Sequence, residues 1–205
     1  STNAVAMTID VSGNVGIGTT APASTLQLEG ADDIVARIKA TGANSLSRLI
    51  LQNDARTWAI DNDGANADAL TFYDATAVAI RMTIDAAGNV GIGVTPSAMS
   101  STYDSLQVGS VGTVFSHDTA TGDGSTFFGS NVYNNSGWKY ITTNEASFIQ
   151  QKNGEFFFAR ASSGSADSAI TFTYPMTIDS SGNLLVGQTS ASSNTVGTSL
   201  RSDGR

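Results

Sequence analysis

The chain has no cysteine, three prolines and a single histidine in 205 residues. Without cysteine there are no disulfides and no thiolate metal sites, so stability must come from elsewhere. With His117 alone, a Ser-His-Asp triad or a multi-histidine metal centre would rest on one residue; it reads as an ordinary strand residue beside Asp118. Charge is sparse as well: 14% charged residues and a net charge of -8 are too little self-repulsion to hold the chain open. Ten Lys and Arg are scattered from Arg37 to Arg205, which argues against nucleic acid as a partner. No apolar run approaches the roughly 20 residues that span a bilayer, and "STNAVAMTID" lacks the basic and apolar segments of a secretion signal. A soluble chain without membrane insertion is expected. Leu, Ile, Val and Phe together number 45, about 22% of the chain and near the lower limit for folded proteins. A thin, economical architecture follows.

What the sequence does have is repetition. "MTIDVSGNVGIGTT" begins at Met7, "MTIDAAGNVGIGVT" at Met82 and "MTIDSSGNLLVGQT" at Met176. In the first copy Val5, Met7 and Ile9 alternate with Ala6, Thr8 and Asp10, and Val15 and Ile17 alternate with Gly16 and Gly18; period two means strand. Between the arms, Asp10 suits the start of a tight turn and Gly13 its left-handed position. Each copy therefore reads as a β-hairpin, at 7–18, 82–93 and from 176. The longer arms carry Val78, Ile80, Met82 and Ile84, then Ile170, Phe172, Tyr174, Met176 and Ile178, on one face, with Thr83, Asp85, Thr171, Thr173 and Thr177 on the other. The expectation is that the apolar face is buried and the threonine face wet.

Similarity extends past the hairpin. "LQLEG" from Leu26 and "LQVGS" from Leu106 stand 80 residues apart, and the same offset pairs "TGANS" at Thr41 with "TGDGS" at Thr121, and Trp58 with Trp138. Three stretches follow: a first β-module at 1–81, a second at 82–175 with an insertion around 142–155, and the start of a third at 176–205. The chain opens inside a repeat, as a fragment of something longer would. The offset aligns "DDIVARIKA" with the β-branched "GTVFSHDTA", so both are expected to be strands. "FIQQKNGEFFF" is a hairpin around Asn153-Gly154.

A module of about 75 residues with so few large apolar side chains buries them poorly alone. Three identical chains placing Ile9, Val15 and Ile17, then Ile84, Val90 and Ile92, then Ile178, Leu184 and Val186 against a common axis would bury them mutually. Gly16 and Gly18 would permit close approach in such a stem. These Asp-x-x-Gly-Asn turns with Gly-x-Gly arms, "L-x-V" strands and Trp-bearing modules resemble the repeats of bacteriophage tail fibres. The resemblance implies an all-β, elongated homotrimeric fibre of repeated β-modules joined by short β-hairpin stems, extracellular on the virion tail. Its implied partners are two further copies of itself, other tail proteins, and a host-surface glycan or protein. Many such fibres carry a C-terminal intramolecular chaperone; none is evident here, and the third copy departs with "LLVG" for "VGIG".

No chemistry is marked. "GNVGIGTT" lacks the Lys-Ser/Thr pair and the helix of a phosphate loop. "DNDGANAD" from Asp61 to Asp68 lacks the spacing and terminal Glu of a calcium loop and reads as a solvated turn. Paired carboxylates for polysaccharide cleavage are not signalled, the glutamates being Glu29, Glu145 and Glu155 only. No catalytic residue, cofactor or metal ligand is expected. The alternatives to a structural and adhesive fibre segment are a polysaccharide-degrading tailspike fragment and a bacterial surface adhesin or filament subunit. Tyr73, Tyr133 and Tyr140 are the candidate receptor contacts, with flat faces and polar tips, and Trp58 and Trp138 are expected to share one repeated packing role.

Overall fold

A computed structural model describes residues 6–117, 124–188 and 198–200. Among these the regular structure is β throughout, apart from one 3₁₀ turn at Gly64–Asn66. The chain divides into two compact units, residues 1–39 and 40–205. The break falls inside the first sequence module, so sequence repeat and compact unit are different divisions of this chain.

The first unit is a three-stranded sheet of β1 (Met7–Ile9), β2 (Val15–Ile17) and β3 (Leu26–Leu28). β1 and β2 form the expected hairpin, with Met7 opposite Ile17 and Ile9 opposite Val15. Asp10 makes the turn: its Oδ1 accepts from the backbone N–H of Ser12 at 2.8 Å and of Asn14 at 2.9 Å, and its Oδ2 accepts from Asn14 Nδ2 at 2.9 Å. Gly13 sits at φ +82°, a conformation that costs any residue with a Cβ. The chain then crosses back and β3 lies parallel to β2, Val15 opposite Leu26.

The second unit repeats this arrangement inside a larger sheet. Its strands are β4 (Leu46–Gln52), β5 (Thr57–Asp63), β6 (Ala69–Asp74), β7 (Ala79–Ile84), β8 (Val90–Ile92), β9 (Tyr103–Val108), β10 (Gly112–His117) and β11 (Thr126–Ser130), then β14 (Asn144–Lys152), β15 (Glu155–Gly164), β16 (Thr173–Ile178), β17 (Leu184–Val186) and β18 (Thr198–Leu200). These thirteen strands stand in chain order, while β12 (Val132–Asn134) and β13 (Trp138–Tyr140) form a separate ribbon. Every neighbouring pair is antiparallel except β8 and β9. The β7–β8 hairpin pairs Met82 with Ile92 and Ile84 with Val90, and β16–β17 pairs Met176 with Val186 and Ile178 with Leu184. All three copies thus share one register and one turn, with Asp85 and Asp179 accepting from the backbone N–H of Asn89 and Asn183 at 2.9 Å each. The third copy differs afterwards: β18 runs antiparallel to β17.

The hydrogen bonds also set an acid response. Bonds from Asn14 hold the Asp10 carboxyl below its ordinary value of 3.8, and bonds from Asn183 do the same for Asp179. A depressed folded pKa means that these turns are stabilised above the unfolded value and lose that contribution as pH falls below it. Acid titration followed by amide NMR is expected to show Ser12 and Ser181 N–H signals shifting below pH 3.8, later than in a free peptide of the same turn; coincident titration would refute the assignment.

The parallel third strand explains two sequence features. A Cβ on Gly16 would lie 2.7 Å from Thr19 O, and on Gly91 2.2 Å from Val94 O. The close approach that needs these glycines is therefore made by the chain's own crossover loop. Gln27 Oε1 accepts from Ala23 N–H at 2.7 Å and Gln107 Oε1 from Ser97 N–H at 2.8 Å, so the repeated "LQ" pins that loop onto the sheet.

Two expectations are corrected. The segment 32–40 forms no strand, and its residues up to Lys39 are exposed. In β7 the buried face is also the reverse of the one expected, Thr83 being 1% exposed while Val78 and Ile80 are exposed; before β16 the expected sides hold, with Ile170 buried, Phe172 half-buried and Thr171 and Thr173 exposed. The physical reason is that the crossover loop covers the small and polar side of the first two hairpins, leaving their apolar side without cover in one chain.

The apolar core of the second unit lies farther along, where the β12–β13 ribbon folds over the sheet. Phe115, Phe127, Val132, Tyr140, Phe148 and Ile170 are buried together, with Trp138 and Phe172 packed against them. Asn131, buried at the ribbon's base with φ +58°, donates to Thr142 O at 3.0 Å and Glu145 O at 2.9 Å. Counting from the common register, β5 matches β14 (Ile60 with Ile149) and β6 matches β15 (Phe72 with Phe158). The residues added to the second module accordingly fall in the ribbon and in 165–172, whereas 142–155 supplies β14 and the turn after it. That turn is the expected Asn-Gly hairpin, with φ +51° at Asn153 and +80° at Gly154.

Candidate functional site

The large sheet has two unlike faces. On the covered face one register line runs Asp61, Thr71, Thr83, Gly91, Gln107, Thr113, Gly129, Phe148 and Ala159. Most of its polar members have partners. Asp61 accepts from Arg48 Nε at 2.7 Å and Nη2 at 2.8 Å, and Asp74, at the far end of β6, accepts from Arg56 at 2.6 Å and Arg81 at 2.9 Å.

On the other face the neighbouring line runs Leu70, Ile84, Val90, Leu106, Val114, Phe128, Ile149, Phe158, Met176 and Val186. Ten consecutive strands each contribute one apolar side chain, and none of the ten is buried. Phe128 is 50% exposed. A second line beside it carries Leu49, Ile60, Phe72, Met82, Ile92 and Val108, then continues through Gly112, Ser130 and Ser147 to Arg160. Between Val108, Val114, Phe128, Ile149 and Phe158 the surface dips into a hollow of about 530 Å³. Exposed apolar surface of this continuity marks an interaction site.

A fold device sets this face. In β16 the alternation expected from Ile170 to Ile178 is interrupted: the register shifts between Phe158 and Arg160, opposite Met176 and Thr173. Pro175 occupies that irregularity, a position that tolerates its missing N–H. Ile170 and Phe172 therefore join the core, while Met176 joins the open row. A matching shift between Phe72 and Tyr73 lies opposite Met82 and Ile80.

The nine hairpin positions singled out in the sequence lie on the open faces of their own sheets. Ile9 is 63% exposed, Ile17, Ile92 and Val186 are exposed, and Val15, Ile84, Val90, Ile178 and Leu184 are half-buried. The sequence reading missed the centre of the face, Phe128, Ile149 and Phe158. The signal was present in "TFFGS" and "FIQQKNGEFFF", where successive aromatics must point to opposite sides of a strand.

The tyrosines are corrected. Tyr133 is buried and its hydroxyl donates to Asp167 Oδ1 at 2.7 Å; Tyr140 is buried and its hydroxyl donates to Ser162 O. Neither offers a face to a receptor, because the ribbon that carries them turns onto the core. Tyr73 is half-buried, with the Arg48 guanidinium 5.3 Å from its ring centre. Burial, with the bond to Asp167, pushes the Tyr133 phenol up to about 12. A raised folded pKa means that the neutral phenol's stabilisation is whole below the unfolded value of about 10 and is lost between there and about 12. Absorbance titration of wild type against Tyr133→Phe is expected to remove one late-titrating phenol; an unchanged late phase would refute this.

The two tryptophans do not share a role. Trp138 packs among core aromatics, whereas Trp58 is exposed in β5, at the register position of Ser147. The "DNDGANAD" carboxylates do not converge either: Asp61 binds Arg48, Asp63 accepts from Ala65 N–H at 3.1 Å, and Asp68 lies beyond at φ +59°. Among the described residues no group of three or more His, Asp or Glu is placed to hold a metal ion. His117 ends β10 with its ring 4.9 Å from that of Tyr103, and Asp118 lies outside the described residues. No known protein family and no curated protein matches the chain.

Proposed function

We propose that this chain is a structural and adhesive segment of a bacteriophage tail fibre, working as a parallel homotrimer that attaches the virion to the host cell surface. The observation that carries the reading is the charge-free apolar line across ten strands. A partner that covers it must offer an apolar line of equal length and spacing, and a second copy in register does. The chain's net charge of -8 opposes association elsewhere on the surface and leaves this face the favoured contact. Burying the exposed remainder of each side chain contributes roughly 1 kcal/mol, so ten of them offset an association cost of about 4–15 kcal/mol. Repetition of hairpin and crossover lets such an interface continue along a fibre, as in the tail fibres that the sequence resembles.

The test has two stages. Light scattering of the purified chain at 10–100 micromolar, an order-of-magnitude range suited to such an interface, is expected to give three times 21.1 kDa. The assembled chain, fluorescently labelled, is then expected to be retained on intact bacterial cells and displaced by their extracted surface polysaccharide or by protease treatment. A monomer throughout that range overturns the fibre reading, and an assembled chain retained by no cell surface overturns the adhesive part.

A further inference from the structure

The open edge of β3 has a counterpart that is filled. In the second unit β9 is joined on that edge by β10, with Val114 opposite Leu106 and Gly112 opposite Val108. The two copies follow the same path up to this point: Glu29 N–H donates to Ile17 O at 2.9 Å and Gly109 N–H to Ile92 O at 3.0 Å. They then part. Gly109 takes φ +59° and turns the chain back along β9, whereas Glu29 does not enter the left-handed region and the chain leaves β3.

We infer that residues 32–37 are a latent strand whose docking site is the free edge of β3, held off it by Glu29 and lacking, in one chain, any cover for Ile34 that docking would supply. Docked in the β9–β10 register, Ile34 stands opposite Leu26 and Asp32 opposite Leu28. The open line Ile9, Val15, Leu26, Ile34 then reproduces Ile84, Val90, Leu106, Val114. The covered line agrees too: Thr8, Gly16, Gln27, Asp33 against Thr83, Gly91, Gln107, Thr113, small or polar at each place. In one chain the docked strand gains no cover for Ile34, which is 48% exposed undocked, since Leu26 and Leu28 beside it face solvent too. In a trimer the same surface is covered. The docking is therefore coupled to assembly, and to that extent the inference rests on the fibre reading.

Arg37 and Lys39 supply the readout, because both are exposed in the single chain and both are trypsin sites. A backbone paired in a sheet does not fit a protease cleft, so docking protects them. Limited trypsin digestion with mass-spectrometric assignment is expected to cut after Arg37 and Lys39 at least tenfold more slowly in the assembled chain than in the dissociated one. Glu29→Gly is expected to slow the cut in the dissociated chain as well, and Val35→Pro to restore it. An assembled wild-type chain cut at the dissociated rate overturns this inference and leaves the fibre reading standing. If the chain stays monomeric the fibre reading falls, and Glu29→Gly then decides: protection supports the latent strand and its absence refutes it.

Discussion

Replacing Phe128 with aspartate is expected to leave the chain folded and to abolish the proposed self-association. Phe128 belongs to β11, between Val114 and Ile149 on the open face, and half of its surface already meets solvent in one chain. A carboxylate there stays hydrated in the monomer, so the core behind it on Phe127 and Phe148 is undisturbed. In an assembly the same carboxylate is buried without a cation, because the nearest positions on its register line are all apolar. An unpaired buried charge costs several kcal/mol, roughly 3–5 when a partner is missing, and each copy in a trimer bears that cost. The association constant should fall by more than about 10³, each factor of ten being about 1.4 kcal/mol. Sedimentation equilibrium should report 21.1 kDa, with near-ultraviolet circular dichroism unchanged. Ser101→Asp, in an exposed turn, is the control and should assemble as wild type does. A Phe128→Asp protein of unchanged oligomeric mass would place the assembly surface elsewhere.

The hairpins were legible because their information is local. Asp10, Gly13 and Asn14 form a turn whose bonds all lie within five residues, and three copies of it fix three identical registers. The Asn153-Gly154 hairpin was legible for the same reason. The parallel strands β3 and β9 were not read as such, although Gln27 and Gln107 carried the signal: a repeated polar residue in an apolar strand has a fixed partner, here the crossover loop. Alternation in β7 and β8 showed that the two faces differ. It could not show which face the chain covers by itself, because that depends on where residues 94–102 lie.

Long-range equivalence misled in one instructive case. The 80-residue offset holds from Leu26 to Leu106 and nearly to Leu49 and Phe128, then fails because the β12–β13 ribbon is inserted before β14. Trp58 and Trp138 match in sequence distance but belong to different layers, one in the sheet and one in the ribbon above it. Tyr133 and Tyr140 were misjudged for the same reason. "NVYNNSGWKY" has the Asn, Ser and Gly of a loop, and nothing local announces that the ribbon folds down and buries its aromatics.

That ribbon is where the second large effect is expected. Trp138→Ala should cost the second unit about 3 kcal/mol, the lower end of the range for deleting a large aromatic from a packed interior, because the indole is half-buried against the core. The indole has ring neighbours at 5.1 Å (Phe127), 5.4 Å (Phe148), 5.8 Å (Phe115) and 6.1 Å (Phe172), so no single side chain can relax into the space it leaves. Against a domain stability of about 5–15 kcal/mol, the urea midpoint should fall by roughly a fifth or more. Trp58→Ala, at an exposed position, should cost no more than about 0.5 kcal/mol, the range of ordinary surface changes. Equal shifts from the two variants would refute the division of roles between them. The comparison also separates the two sides of the sheet: measured at low temperature, where it remains folded, Trp138→Ala should keep the wild-type oligomeric mass, while Phe128→Asp keeps the wild-type midpoint of the monomer. One face then holds the chain together, and the other is the face that the proposed trimer would cover.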